Sequence, residues 1–258
     1  MESKSCKLTF VRIKHKQAQM MVADLSPSMS VDNIQLKLKQ KINIKICGMR
    51  GCSFLPDGRM VLSSWSTNTV TFINKDGEEL FQIDNDQTGS DTYDTVYIKG
   101  KNSVAVSSGI GNKQCITIID IERKEVMTTI SMDTGIYGMA VRGGTIYYCT
   151  GNKGLKMLNL SDNSVSNIIN SDMSFIFCMA ISGDKLYYTN CFTDTVTCCD
   201  LHGITQWKFK DEHVLKSRRG ISVDNDGNVY VVVVVSTILW LSPLMDSVID
   251  KYCLLVMG

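Results

Sequence analysis

Residues 51–83 read GCSFLPDGRMVLSSWSTNTVTFINKDGEELFQI, and the punctuation of this stretch decides the fold. Four short apolar runs, GCSFL, RMVLSS, TVTFI and EELFQI, are separated by PDG, WSTN and NKDG. Runs of about five residues bounded by Gly, Asp and Asn turns read as strands joined by tight hairpins. The glycines of PDG and KDG supply the positive φ that such turns need and that a Cβ would oppose. One four-stranded antiparallel sheet is therefore written into this stretch.

The same grammar returns from Asp94 to Ile130, from Gly138 to Ile169 and from Cys178 to Lys210. A fifth unit opens at Gly220 as GISVDNDGNVYVV and then loses the pattern. The turn glycines Gly58, Gly100, Gly144, Gly183 and Gly227 fall 42, 44, 39 and 44 residues apart. That stride is the one a four-stranded propeller blade produces. The expected fold is all-β: an incomplete β-propeller of about four and a half four-stranded blades, part of a six-bladed ring. The nearest helix candidate, IQLKLKQKI, alternates strictly and reads as a strand instead.

The pattern divides the chain into three regions. Residues 1–46 lack the repeat but contain strand-like runs, either outer strands of a partial blade or the end of a linker. Residues 47–235 hold the blades, and residues 236–258 form an atypical tail without turn chemistry. Read two nucleotides later with permissible codons, the tail regains a third strand, a PDG turn and the start of a fourth. This reading expects a frameshift or mis-splice near Val234 and a chain that is a fragment of a longer protein. A blade buries its faces only against neighbours, so an arc is expected to leave two apolar faces in water.

The formal charge of +1 neither demands nor excludes a polyanionic partner. Ten cysteines form no C-x-x-C pair and sit mostly in apolar runs, so they read as buried, reduced thiols rather than zinc ligands or a disulfide framework. The N-terminus lacks the apolar core of a signal peptide, which makes a cytoplasmic setting the expectation. The apolar run from Val229 to Leu241 is too short for the ~20 residues a membrane helix needs. No G-x-S-x-G, H-E-x-x-H or P-loop pattern occurs, and no catalytic residue, metal site or cofactor is assigned. SGIGNK, around Gly109 and Gly111, lacks the helix that a phosphate cradle requires and reads as a plain loop. DNDG, from Asp224 to Gly227, has no glutamate at the twelfth calcium-ligand place and reads as a hairpin turn.

In a propeller, one end is built by the loops leading into each first strand and those joining second to third strands. Position in the repeat places Arg50, Tyr93, Tyr137, Phe177, Arg218 and Arg219 in the former. Trp65, Asn68, Asn112, Lys113, Asn152, Lys153, Asn190 and Phe192 belong to the latter. The partner-binding candidates are Arg50, Trp65, Asn112, Lys113, Tyr137, Lys153, Phe177, Arg218 and Arg219. Arginine among aromatics suits a protein hot spot, and equally single-stranded RNA through phosphate pairing and base stacking. The bland alternative is a set of solvated loop tips with Tyr137 and Phe177 packed between blades. Lys37, Lys39, Lys41 and Lys45 form a basic stripe that reads as a solvated strand face.

RGCSFLPDGRMVLSSWSTNTVTFINKDGEELFQI, YGMAVRGGTIYYCT, GDKLYYTN and RGISVDNDGNVYVV resemble the NHL-repeat propeller of tripartite-motif proteins, of the invertebrate B-box/NHL-like type. The likeness spans roughly Asp32 to Val233. It implies a non-catalytic recognition scaffold, the partner- or substrate-binding propeller of a ubiquitin-ligase-like protein. An RNA-binding propeller acting in post-transcriptional regulation is the alternative, and an enzymatic propeller or a non-functional fragment is a third. The family's RING, B-box and coiled coil are absent from this sequence, so no ligase chemistry is carried over to any residue.

Overall fold

The computed structural model describes residues 9–11, 44, 46–84, 91–109, 111, 113–151, 153–170, 176–210, 215, 218–224, 227–233 and 238–240. Its strands are β1 (Thr9–Val11), β2 (Met49–Phe54), β3 (Met60–Ser64), β4 (Thr69–Ile73) and β5 (Glu79–Ile83). Next come β6 (Thr92–Ile98), β7 (Ser103–Ser108), β8 (Cys115–Asp120) and β9 (Glu125–Ser131). The third group is β10 (Met139–Arg142), β11 (Thr145–Cys149), β12 (Leu155–Asn159) and β13 (Val165–Ile169). The fourth is β14 (Ile176–Ser182), β15 (Lys185–Asn190), β16 (Thr195–Asp200) and β17 (Thr205–Lys210). Last are β18 (Arg218–Val223), β19 (Val229–Val233) and β20 (Ile238–Trp240).

Consecutive strands pair antiparallel into four four-stranded blades, β2–β5, β6–β9, β10–β13 and β14–β17. No helix occurs among the described residues. The propeller expectation is therefore met, with its turn glycines where the repeat put them: Gly58, Gly100, Gly144, Gly183 and Gly227 all have positive φ. First strands touch one another in chain order, β2 to β6 to β10 to β14 to β18, which places them nearest a common axis.

Alternation along each second strand builds the seams between blades. Val61, Val70 and Phe72 of blade 1 meet Val104, Val106 and Ile119 of blade 2. Ala105, Ile116 and Ile118 on the other face of blade 2 meet Ile146, Tyr148 and Leu158 of blade 3. Tyr147, Cys149 and Leu155 meet Leu186, Tyr188 and Cys199 of blade 4. Tyr187, Val196 and Cys198 then meet Val229 and Val231 of the fifth sheet. A middle strand is apolar on both faces because each face belongs to a different seam.

Two features differ from the expectations. The free face of blade 1, made of Met60, Leu62 and Ile73, is not bare: Ile44 and Ile46 pack on it beside Met49 and Phe54. The fifth sheet is not left as a half blade either. Its order is β18–β19–β20–β1, so β20 of the tail adds the third strand and β1 of the N-terminus takes the outermost place. β1 runs parallel to β20, whereas the fourth strand of every other blade is antiparallel. The IQLKLKQKI strand and the lysine stripe at Lys37, Lys39, Lys41 and Lys45 lie outside the described residues.

Of the cysteines, Cys115, Cys149, Cys198 and Cys199 are buried, whereas Cys47 and Cys52 are exposed. Burial pushes the Cys199 thiol up to about 12, which keeps it protonated and inert. At the DNDG turn, Asp224 accepts from the backbone N–H of Asn228 at 2.7 Å, the Asn228 side-chain amide at 2.9 Å and the Tyr230 hydroxyl at 2.8 Å. Its carboxylate is thus used up in closing a hairpin.

Candidate functional site

Four of the five first strands, all but β10, enter their sheets through the same irregularity. In blade 1 the register steps from Met49 opposite Ser64 to Gly51 opposite Ser63, leaving Arg50 as the extra residue. The step recurs in blade 2 between Thr92 and Thr95, in blade 4 around Phe177, and in the fifth sheet around Arg219. A bulge of this kind bends the strand and re-aims the side chain it carries. Arg50, Phe177, Arg218 and Arg219 thus lie within strands rather than in the preceding loops, and Arg50, Phe177 and Arg219 are bulge residues.

The bulge frees backbone groups, and the seam residues take them up. Gly51 N–H donates to Ser63 Oγ at 2.9 Å, and that hydroxyl donates onward to the Tyr93 carbonyl at 3.0 Å. One blade later, Asp94 N–H donates to Ser107 Oγ at 2.9 Å and Ser107 Oγ donates to the Tyr137 carbonyl at 2.8 Å. A second-strand serine therefore satisfies its own bulge and pins the backbone of the next blade's aromatic residue.

That arrangement gathers four side chains from three blades. The Arg50 guanidinium lies 5.1 Å from the centre of the Trp65 ring and 4.8 Å from that of Tyr93. Tyr137 meets Tyr93 in a T-shaped contact at 5.0 Å and 88°. Burial pushes the Tyr137 phenol up, while the nearby Arg50 charge acts in the opposite direction. Trp65 is 46 % exposed, so the cluster is seated but open to solvent.

Glycines form its floor. A Cβ on Gly48, whose φ is +65°, would stand 2.7 Å from Trp65 Nε1. One on Gly151, at φ +67°, would stand 2.9 Å from Tyr137 Cε2. Gly109, in the loop read from sequence as plain, lies against both Tyr93 and Tyr137. These glycines let rings lie directly on backbone, a role the sequence reading did not assign.

Asp94 was also missed. It occupies the place that Gly51 and Gly138 fill in neighbouring blades, accepting from Met139 N–H at 2.8 Å and from its neighbour Thr95 N–H at 2.8 Å. Burial pushes its carboxyl up to about 6, with those two N–H groups opposing the shift. The signal was a lone Asp in a column of small residues.

Lys113 and Lys153 stand exposed in the second-to-third loops of blades 2 and 3. Lys153 leans towards Asp133, at 4.0 Å, and the nearly buried Lys156 reaches the same carboxylate at 3.3 Å. Phe192, in the corresponding loop of blade 4, is 64 % exposed. Phe177, Arg218 and Arg219 are placed here by backbone register alone, and Asn112 and Asn152 lie outside the described residues. The structure thus brings Arg50, Trp65, Tyr93 and Tyr137 into one cluster and sets the lysines at its margin.

Neither a family model nor a curated protein matches the chain. Solved structures do. A catalytically inactive virginiamycin B lyase from Staphylococcus aureus with quinupristin aligns over 73% of this chain and 64% of its own, at 17% identity and a TM-score of 0.58. The WD40 β-propeller domain of Doa1 aligns over 70% and 58%, at 17% identity and a TM-score of 0.57. A Bacteroides thetaiotaomicron protein of unknown function aligns over 73% and 53%, at 16% identity and a TM-score of 0.60. The chain spans under two thirds of the length of each of these. Identities this low speak for fold alone, and the propellers concerned include both a lyase and a WD40 domain. The chain is an all-β propeller of four-stranded blades.

Proposed function

We propose that this chain is a non-catalytic recognition scaffold that binds a protein partner through the Arg50, Trp65, Tyr93 and Tyr137 end. The observation that carries the reading is the arginine–aromatic stack assembled from three blades and left open to solvent. Buried hot spots of protein interfaces are built from Trp, Tyr and Arg on rigid supports. The bulges and glycine floor supply that rigidity. The motifs that resemble NHL repeats make the partner-binding propeller of a tripartite-motif, ubiquitin-ligase-like protein the fitting context, with a ubiquitination substrate as partner.

Two observations favour protein over single-stranded RNA and over catalysis. The guanidinium already covers one face each of Trp65 and Tyr93, faces that stacked bases would use. His202, the one histidine among the described residues, lies in the β16–β17 turn at the opposite end from Asp94. Affinity capture from a cell extract tests the reading with the wild type, Trp65→Ala, and the opposite-end control Met127→Ala. Proteins retained by wild type and Met127→Ala, lost with Trp65→Ala and indifferent to ribonuclease are expected. Capture that ribonuclease abolishes would instead support the RNA reading.

A further inference from the structure

We infer that Arg50 is a preformed receptor for a side-chain carboxylate, so that the partner segment is an extended acidic peptide; this rests on the protein-recognition reading above. Arg50 is exposed yet makes no ion pair among the described residues, while Arg59 and Arg123 each find one, with Asp57 and Glu125. Its central carbon is held between two rings, 5.1 Å from the centre of Trp65 and 4.8 Å from that of Tyr93. The N–H fork along the edge is what pairs with a carboxylate in bidentate fashion. A guanidinium already held in place loses less freedom when the anion arrives than a solvated one does.

The surroundings choose between sources of that carboxylate. Trp65 in blade 1 and Lys113 in blade 2 flank the site as exposed side chains on different loops. A chain can therefore run across the cluster, its acidic side chain on Arg50, an apolar neighbour on Trp65 and a further acid towards Lys113. A chain terminus would fit a closed pocket better than this open surface. The charges on the described residues at this end include Arg50, Lys113, Lys153, Lys156 and Lys210 against Asp84, Asp91, Asp94, Asp133 and Asp194. Lys153 and Lys156 share Asp133, and Asp94 is turned to the backbone of Met139 and Thr95.

The test titrates the whole chain with a blocked pentapeptide, Gly-Leu-Glu-Leu-Gly, its Gln counterpart, and oligouridylate, following the Arg50 Nε–H and Trp65 Nε1–H resonances. The Glu peptide is expected to shift both signals and to bind about tenfold tighter than the Gln peptide. Arg50→Lys, which keeps the charge but not the fork, is expected to lose most of that preference while Trp65 still responds. Equal binding of the two peptides, or an undiminished preference in Arg50→Lys, overturns the carboxylate receptor and leaves the recognition reading standing. Oligouridylate shifting these signals while neither peptide does overturns both, as does silence from all three probes.

Discussion

Asp94 stands in a column otherwise filled by Gly51, Gly138, Cys178 and Gly220, small residues that let adjacent blades approach. A Cβ on Gly51 would stand 2.7 Å from the Asp94 Cα, which measures how close blades 1 and 2 come. The carboxyl placed there titrates near 6, above the ordinary 3.8. Between those values the folded chain holds the proton more tightly than the unfolded chain, so unfolding free energy falls as pH rises and levels off above 6. A rise from 3.8 to about 6 is worth roughly 3 kcal/mol, and solvent reaching this part-buried group brings the expected loss to about 2 kcal/mol. Urea unfolding from pH 3.5 to 7 is expected to show that loss in the wild type and to lack it in Asp94→Asn. An identical slope in both would rule out Asp94 as the titrating group.

At the scale of the element, the first-strand bulge and the second-strand serine of blades 1 and 2 act together. Ser107 accepts from Asp94 N–H and donates to the Tyr137 carbonyl, so it joins blade 2 to the aromatic residue of blade 3. Ser107→Ala leaves a freed N–H unsatisfied in the seam, at a cost of about 1–3 kcal/mol. Ser107→Thr keeps the hydroxyl, as Thr189 does at this register in blade 4, and is expected to recover most of that loss. Equilibrium unfolding of the two variants measures it. The strands and their turns were legible because Gly58, Gly100 and Gly144 mark a fixed stride with residues whose backbone preference is local. The bulges were not. An extra residue such as Arg50 looks like loop or strand alike until its partner register is known. For the same reason the sequence named Arg50, Trp65 and Tyr137 as candidates but could not say that they meet. Nor could it show that Gly109 and Gly151 serve as a floor, since that role depends on rings arriving from other blades.

At the scale of the molecule, stability is shared across seams, because each middle strand is buried only when both neighbouring blades are present. Ile44 and Ile46 close the blade 1 end, a contact no repeat pattern announces because they precede the repeat and bury against it by proximity. The proposed binding end inherits this dependence: Arg50, Tyr93 and Tyr137 belong to three blades and keep their spacing only while the seams hold. Val70 is fully buried on the face of blade 1 that meets Val104, Val106 and Ile119 of blade 2. Native-state amide exchange of Val70→Ala, a change worth about 2 kcal/mol, is the most direct probe of seam-shared stability. Stacked blades predict faster exchange in β2–β5 and β6–β9 together, with β14–β17 least affected. Faster exchange confined to β2–β5, with β6–β9 unchanged, would contradict them.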